Sequence, residues 1–187
     1  MRLPPPALLG AIYGVSEFYL AVTRRAGTRA VSHDRRSLIL LWTVIAVSLW
    51  LGIRVIRLVP GATVPYPDGF YLLGFILFLC GVTLRWYSIV YLGRYFTVDV
   101  SISAEHKLID SGPYRYIRHP SYTGALLAFA GLGFCFGNWW SIFFLTAPII
   151  AVFLWRIRIE ERALTGALGK DYSVYMRRTK ALIPWIY

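Results

Sequence analysis

Acidic residues are scarce in this chain: nine Asp and Glu stand against twenty Lys and Arg, a formal net charge of +11 over 187 residues. In a soluble protein that imbalance would raise nucleic acid as a partner. No nucleic-acid motif accompanies it, however, and sixteen of the basic residues fall in three segments beside apolar runs: 24–36, 93–121 and 156 onward. That distribution reads as membrane topology and contact with anionic lipid headgroups. Cysteine is nearly absent as well. Cys80 and Cys135 both lie inside apolar runs, so neither a disulfide framework nor a zinc cluster is expected, and no metal site. No polar stretch is long enough for a second globular core, and there is no internal repeat or low-complexity segment. The N-terminal MRLPPPALLGAIYGVSEFYLAV lacks a small-residue cleavage site, so it reads as a retained first helix and not as a signal peptide.

What remains is apolar. Hydrophobic residues make up 57% of the chain and aromatics 17%, well above the roughly 45–50% apolar usage of a soluble domain. Hydropathy predicts helices at about 5–23, 38–57, 70–92, 122–137 and 139–156, each near the ~20 residues that cross a ~30 Å hydrocarbon core. The expected fold is an all-α polytopic membrane protein of about five transmembrane helices, forming one structural unit. Residues 1–92 would supply the N-terminal helices that shape an acceptor chamber, and 93–187 a cofactor-binding region with a helical hairpin and a cytosolic tail. The connections 60–69 and 137–140 carry a single charge, Asp68. The positive-inside rule therefore places the N-terminus outside and the C-terminus in the cytoplasm. Helices four and five, joined at Gly137-Asn138, are expected as a short antiparallel hairpin that brings the segment before helix four beside the tail after helix five. In that tail Ile157, Glu160, Glu161, Leu164 and Leu168 keep helical spacing. Gly169 is a plausible stop and a second amphipathic turn covers Asp171 to Arg178, so the tail is expected to lie along the membrane surface.

The stretch SGPYRYIRHPSYTG, residues 111–124, interrupts the oily pattern with cations, tyrosines and turn residues. Pro120 suits a first helical turn, and His119 precedes it with restricted backbone geometry. His119 and Arg118 then sit at a helix N-terminus, where free amides favour a carboxylate or phosphate. An alternative is a plain membrane interface: Arg115 and Arg118 as lipid-phosphate anchors, Tyr114, Tyr116 and Tyr122 as interfacial aromatics, His119 as a cap. Arg156 and Glu160 are four apart, on one helical face, with Arg156 directly behind the last apolar residues of helix five. This is either a functional pair or an ordinary surface one. Glu17, inside helix one, could pair with Arg85 of helix three or with Arg24.

The ordered set EHKLIDSGPYRYIRHPSYTG (105–124) and RIRIEERALTGALGKDYSVYMRRTKALIP (156–184) resembles the isoprenylcysteine carboxyl methyltransferase family, whose relatives include phospholipid N-methyltransferases. The resemblance covers roughly the C-terminal half. It implies an integral membrane methyltransferase using S-adenosylmethionine in a pocket between the helix three to four segment and the tail. Carried over by residue, it implies a cofactor shell of His106, Lys107, Leu108, Ile109, Gly112, Tyr114, Arg118, His119, Pro120, Tyr122 and Glu160, with Arg156 and Glu160 at the reacting end. A cofactor with a carboxylate and a sulfonium suits cations, a helix N-terminus, carboxylates and aromatics together.

Two other readings stand beside this one: an NADPH-dependent membrane sterol or lipid reductase, and a non-enzymatic lipid-binding membrane protein. The expected partners are membrane lipids and a lipophilic or prenyl-type acceptor that enters between the helices, with no nucleic acid. The expected location is a multi-pass integral membrane protein whose active site faces the cytoplasm, in the inner membrane if the source is bacterial. Acceptor identity and oligomeric state are left open.

Overall fold

A computed structural model describes residues 3–23, 35–96 and 108–184. Among the described residues are five α-helices: α1 (Pro6–Thr23), α2 (Arg35–Leu58), α3 (Pro67–Leu92), α4 (Pro120–Cys135) and α5 (Trp139–Arg178). Short 3-10 turns occupy Gly93–Tyr95 and Gly112–Arg115. Four helices, α1, α2, α3 and α5, are long and apolar enough to cross a membrane. The fifth, α4, has 16 residues, roughly 24 Å of rise against a ~30 Å hydrocarbon core. Most of its residues are buried against neighbouring helices, so its shortness need not be matched by lipid.

The four membrane-length helices each bury one stripe. In α1 it is Leu9, Tyr13, Glu17 and Leu20; in α2 it is Ser37, Leu41, Ile45, Ser48, Gly52 and Val55. In α5 it is Ser141, Leu145, Ile149, Val152 and Arg156. These spacings of three and four keep a single face inward, and the opposite faces carry the exposed Leu, Ile, Phe and Trp that suit lipid contact. One apolar cluster joins Tyr13, Leu41, Phe78, Phe129 and Leu145, drawing on all five helices.

Glycine decides the closest crossing. A Cβ built on Gly74 would meet the Gly131 carbonyl oxygen at 2.6 Å, and one on Gly81 would meet the Ala128 nitrogen at 2.4 Å and the Gly124 carbonyl oxygen at 2.6 Å. Two glycine pairs, seven residues apart on each helix, thus let α3 and α4 run antiparallel with their backbones touching, the membrane equivalent of a small-residue interface. The α2–α5 seam is antiparallel too. Along it Ser141 Oγ donates to the Gly52 carbonyl at 2.7 Å and Asn138 Nδ2 donates to the Val59 carbonyl at 3.0 Å. Asn138 also caps α5, its Oδ1 accepting from the Trp140 and Ser141 amides.

The hairpin of α4 and α5 is as expected, but α5 does not end near 156. It continues without a break to Gly169, whose φ of 57° is left-handed, and only there does the chain turn. That first arm is roughly 45 Å long, so residues 157–168 extend the span itself and do not form the separate surface-lying helix that hydropathy suggested. Hydropathy dropped at Arg156 while helical propensity did not, because Arg, Glu, Ala and Leu are all good helix formers.

Antiparallel packing gathers the C-termini of α1 and α3, the N-termini of α2 and α4, and the polar arm of α5 at one end of the bundle. Glu17 of α1 marks this end: its carboxylate takes Arg85 Nη2 at 2.6 Å and also Nε, a two-pronged buried pair between α1 and α3. Arg24, the other partner considered, lies outside the described residues.

Candidate active site

The sequence around Pro120 builds the site's floor. Pro120 is the first helical residue of α4, a position where its missing N–H is no loss. The His119 carbonyl accepts from the Tyr122 and Thr123 amides, so His119 is the N-cap through its backbone, and its side chain makes no capping bond. The imidazole is thereby left for other work. Arg85 adds a support from below, Nη1 donating to the Ser121 carbonyl at 3.2 Å.

The tail closes over this floor as a short extended strip. Arg118 N donates to the Lys180 carbonyl at 2.8 Å, His119 N to the Ala181 carbonyl at 2.9 Å, and Thr123 Oγ1 to the Leu182 carbonyl at 2.8 Å. Tyr175 Oη donates to the Tyr114 carbonyl at 2.6 Å, and Tyr114 Oη reaches the Ser88 carbonyl at 3.2 Å. Gly112 completes the wall: its φ is 57°, and a Cβ there would stand 2.5 Å from the Tyr91 ring. Only glycine satisfies both conditions.

Two adjacent carboxylates on α5 face this floor, and their surroundings differ. Glu161 Oε1 accepts from Arg118 Nε at 2.7 Å and from His119 Nε2 at 3.1 Å. A carboxylate only accepts, so Nε2 carries the imidazole proton. Both of its partners are hydrogen-bond donors, so the Glu161 carboxylate is satisfied on the Oε1 side. Glu160 is different. Its Oε2 is buried, lies 3.7 Å from His119 Nδ1, and has no hydrogen-bond partner. Native structures rarely leave such an atom orphaned.

Arg156 lies one turn back along α5 and is 1% exposed. Its Nε donates to Tyr122 Oη at 3.1 Å and its Nη1 to Ser37 Oγ at 2.8 Å. The direct Arg156–Glu160 ion pair suggested by their spacing is not among the ion pairs of the described residues. The Tyr122 hydroxyl faces both side chains instead. The reason is tertiary: α2 and α4 offer hydroxyls on the inner stripe where Arg156 sits, and the guanidinium turns to them. The Tyr122 ring is sandwiched, 5.6 Å from His119 and 4.9 Å from Phe153 in near-parallel stacks.

Of the residues singled out in sequence, Gly112, Tyr114, His119, Pro120, Tyr122, Arg156 and Glu160 therefore converge at one end of the bundle. Arg118 converges too, but its guanidinium is committed to the tail, to Glu161 and the Met176 and Thr179 carbonyls. Leu108 and Ile109 are half-buried beside this end. His106 and Lys107 lie outside the described residues. Sequence reading passed over Ser37 and gave Glu161 no role of its own. The doubled Glu was a signal for the second; a serine at the head of an apolar run offered none for the first.

Fold and site together define a class: a polytopic helical membrane protein with one carboxylate, arginine and aromatic-lined site where the bundle meets its polar tail. The model of the isoprenylcysteine carboxyl methyltransferase (ICMT) family matches residues 72–166, half of the chain, and the chain belongs to this family. It is 32% identical over 115 residues to protein-S-isoprenylcysteine O-methyltransferase B of Arabidopsis thaliana, covering 60% of this chain and 58% of that one. It is 36% identical over 73 residues to methanethiol S-methyltransferase 1 of Bradyrhizobium diazoefficiens, covering 38% of this chain and 24% of that one. The solved structure of the eukaryotic intramembrane Ras methyltransferase ICMT superposes with a TM-score of 0.66 at 24% identity, over 98% of this chain and 69% of the other. The chain thus spans between a quarter and three fifths of the length of these two curated relatives.

Proposed function

We propose that this chain is an S-adenosylmethionine-dependent membrane methyltransferase acting on a lipophilic acceptor that bears a carboxylate of the prenylcysteine kind. The observation that carries the reading is the orphaned Glu160 Oε2, buried beside His119 and Tyr122. A buried carboxylate oxygen without a donor is costly, and a ligand bringing a cationic amino group or sulfonium relieves that cost. The residues fit such a cofactor: Glu160 would take its positive end, with Leu108, Ile109, Gly112, Tyr114, His119, Pro120 and Tyr122 forming the wall. His106 and Lys107 would complete the shell, and Arg118 would act from behind by holding Glu161. When bound, the cofactor supplies an electrophilic methyl group on a good leaving group, so the chain's own contribution is approach and alignment.

An acceptor carboxylate arrives already deprotonated, and no residue has to act as a base. Arg156 would orient it, since a planar guanidinium recognises a carboxylate by paired hydrogen bonds. The strip of residues 180–182 over α4 would exclude water from the reacting groups. In this reading the site opens to the cytoplasm and the acceptor enters sideways from lipid, between helices of residues 1–92.

The test is titration of the detergent-solubilised protein with S-adenosylhomocysteine. Micromolar binding, about 8 kcal/mol, with none for NADPH, is expected. The reverse pattern would overturn the methyltransferase reading in favour of a reductase. Transfer of labelled methyl to N-acetyl-S-farnesylcysteine, with methanethiol as comparator because one relative bears that name, then separates the acceptor classes.

A further inference from the structure

The head of α2 lies outside the segment that matches the family, residues 72–166, yet it reaches the reacting end. Ser37 is completely buried, 0% exposed, and its Oγ accepts from Arg156 Nη1 at 2.8 Å. On the same guanidinium, Nε donates to Tyr122 Oη at 3.1 Å. Two oxygens from two different helices therefore engage two nitrogens of one rigid plane, and a plane held at two corners has its orientation set.

Ser37 is itself held in register. Further along the same seam Ser141 Oγ bonds the Gly52 carbonyl, Gly52 packs on Leu145 with only 3.2 Å between a built Cβ and Leu145 Cγ, and Asn138 bonds the Val59 carbonyl. The position of Ser37 along α5 is thus fixed by contacts independent of Arg156. The hydroxyl is a preplaced acceptor and not a group dragged in by the arginine.

We propose that Ser37 is a positioning residue for methyl transfer: it sets the plane of the Arg156 guanidinium against the acceptor, and so makes α2 part of the site. The inference rests on the reading of Arg156 given above. Because the Ser37 hydroxyl engages the Arg156 guanidinium, its loss acts on alignment of the acceptor and spares cofactor binding.

The experiment compares S37A, S37T, S37V and S141A in the full chain in detergent. Three quantities are measured: S-adenosylhomocysteine affinity, the thermal transition, and kcat for labelled methyl transfer to N-acetyl-S-farnesylcysteine and to a total lipid extract. S141A removes a serine-to-carbonyl bond from the far end of the same seam, and so reports the purely structural cost of such a loss. S37A is expected to hold Kd within about twofold while kcat falls roughly tenfold or more, the loss of about one hydrogen bond. S141A lowers the thermal transition and costs kcat less than S37A does, because the Gly52–Leu145 and Asn138–Val59 contacts still hold the register.

S37T and S37V have nearly the same shape and differ by the hydroxyl; Thr retains turnover and Val does not, which decides the matter even if S37A folds poorly. A kcat loss in S37A no larger than in S141A, equal turnover in S37T and S37V, or a Kd loss that matches the kcat loss overturns the assignment. Wild-type protein that binds no S-adenosylhomocysteine, or transfers methyl to no acceptor, overturns the underlying reading and this inference with it. Normal wild-type behaviour with an unaffected S37A sinks the inference alone.

Discussion

Glu160 and Glu161 are neighbours on one helix with the same side chain, and the geometry gives their removal opposite consequences. Glu161 Oε1 holds Arg118 at 2.7 Å and His119 at 3.1 Å, tying α5 to the residues that head α4. Glu160 Oε2 is buried and holds nothing. Replacing Glu160 by Gln keeps the shape and removes the charge. If that oxygen is kept for the cofactor's cationic group, the change loses a charge-assisted hydrogen bond of about 1.5–3 kcal/mol, roughly a 10- to 150-fold weaker Kd for S-adenosylhomocysteine. The unliganded protein should meanwhile lose little stability, because the buried Oε2 makes no hydrogen bond that the amide would break.

Glu161→Gln should do the reverse. It leaves Arg118 and His119 facing an uncharged group in a largely buried site, with the Arg118 side chain only 10% exposed, a loss on the order of 3 kcal/mol of fold stability. Isothermal titration and thermal unfolding of both variants, in the same detergent, give the two readouts. Unchanged binding in Glu160→Gln, or an equal fall in thermal stability for both variants, would refute the reasoning.

Arg156→Lys keeps the charge but cannot reach Tyr122 and Ser37 together, so kcat on a carboxylate acceptor should fall 10- to 1,000-fold, about 1.4–4 kcal/mol, with Kd for S-adenosylhomocysteine little changed. Gly81→Val should lower the thermal transition sharply. Its Cβ would meet backbone atoms of α4 at 2.4–2.6 Å, an overpacking cost of at least about 1–3 kcal/mol. Gly14→Ala, with open space around it, should be neutral or stabilising.

The spans could be read from the chain alone because in lipid a helix must satisfy its own backbone, so length and apolarity of a run are sufficient signals. The observed helices begin and end close to the expected positions for that reason, α5 excepted. There the apolar signal stopped at Arg156 while the helix went on, hydropathy and helical propensity being different properties. Pro120 as a helix start and Gly169 as the turn were also legible, each resting on one residue's backbone chemistry. The meeting of the 111–124 stretch with the tail followed from the hairpin, a consequence of loop length.

Pairings between distant segments could not be read this way. Whether Glu17 took Arg85 or Arg24, whether Glu160 or Glu161 was satisfied, and whether Arg156 turned to its helical neighbour or to hydroxyls on α2 and α4 all depend on how close two helices approach. That approach was decided by features far from the residues concerned, chiefly the glycine pairs between α3 and α4 and the Ser141–Gly52 bond between α2 and α5. Ser37 meets Arg156 across 119 positions of sequence. A hydroxyl and a guanidinium carry no local mark of such a partnership, and only the packing of the helices that bear them brings the two within hydrogen-bonding distance.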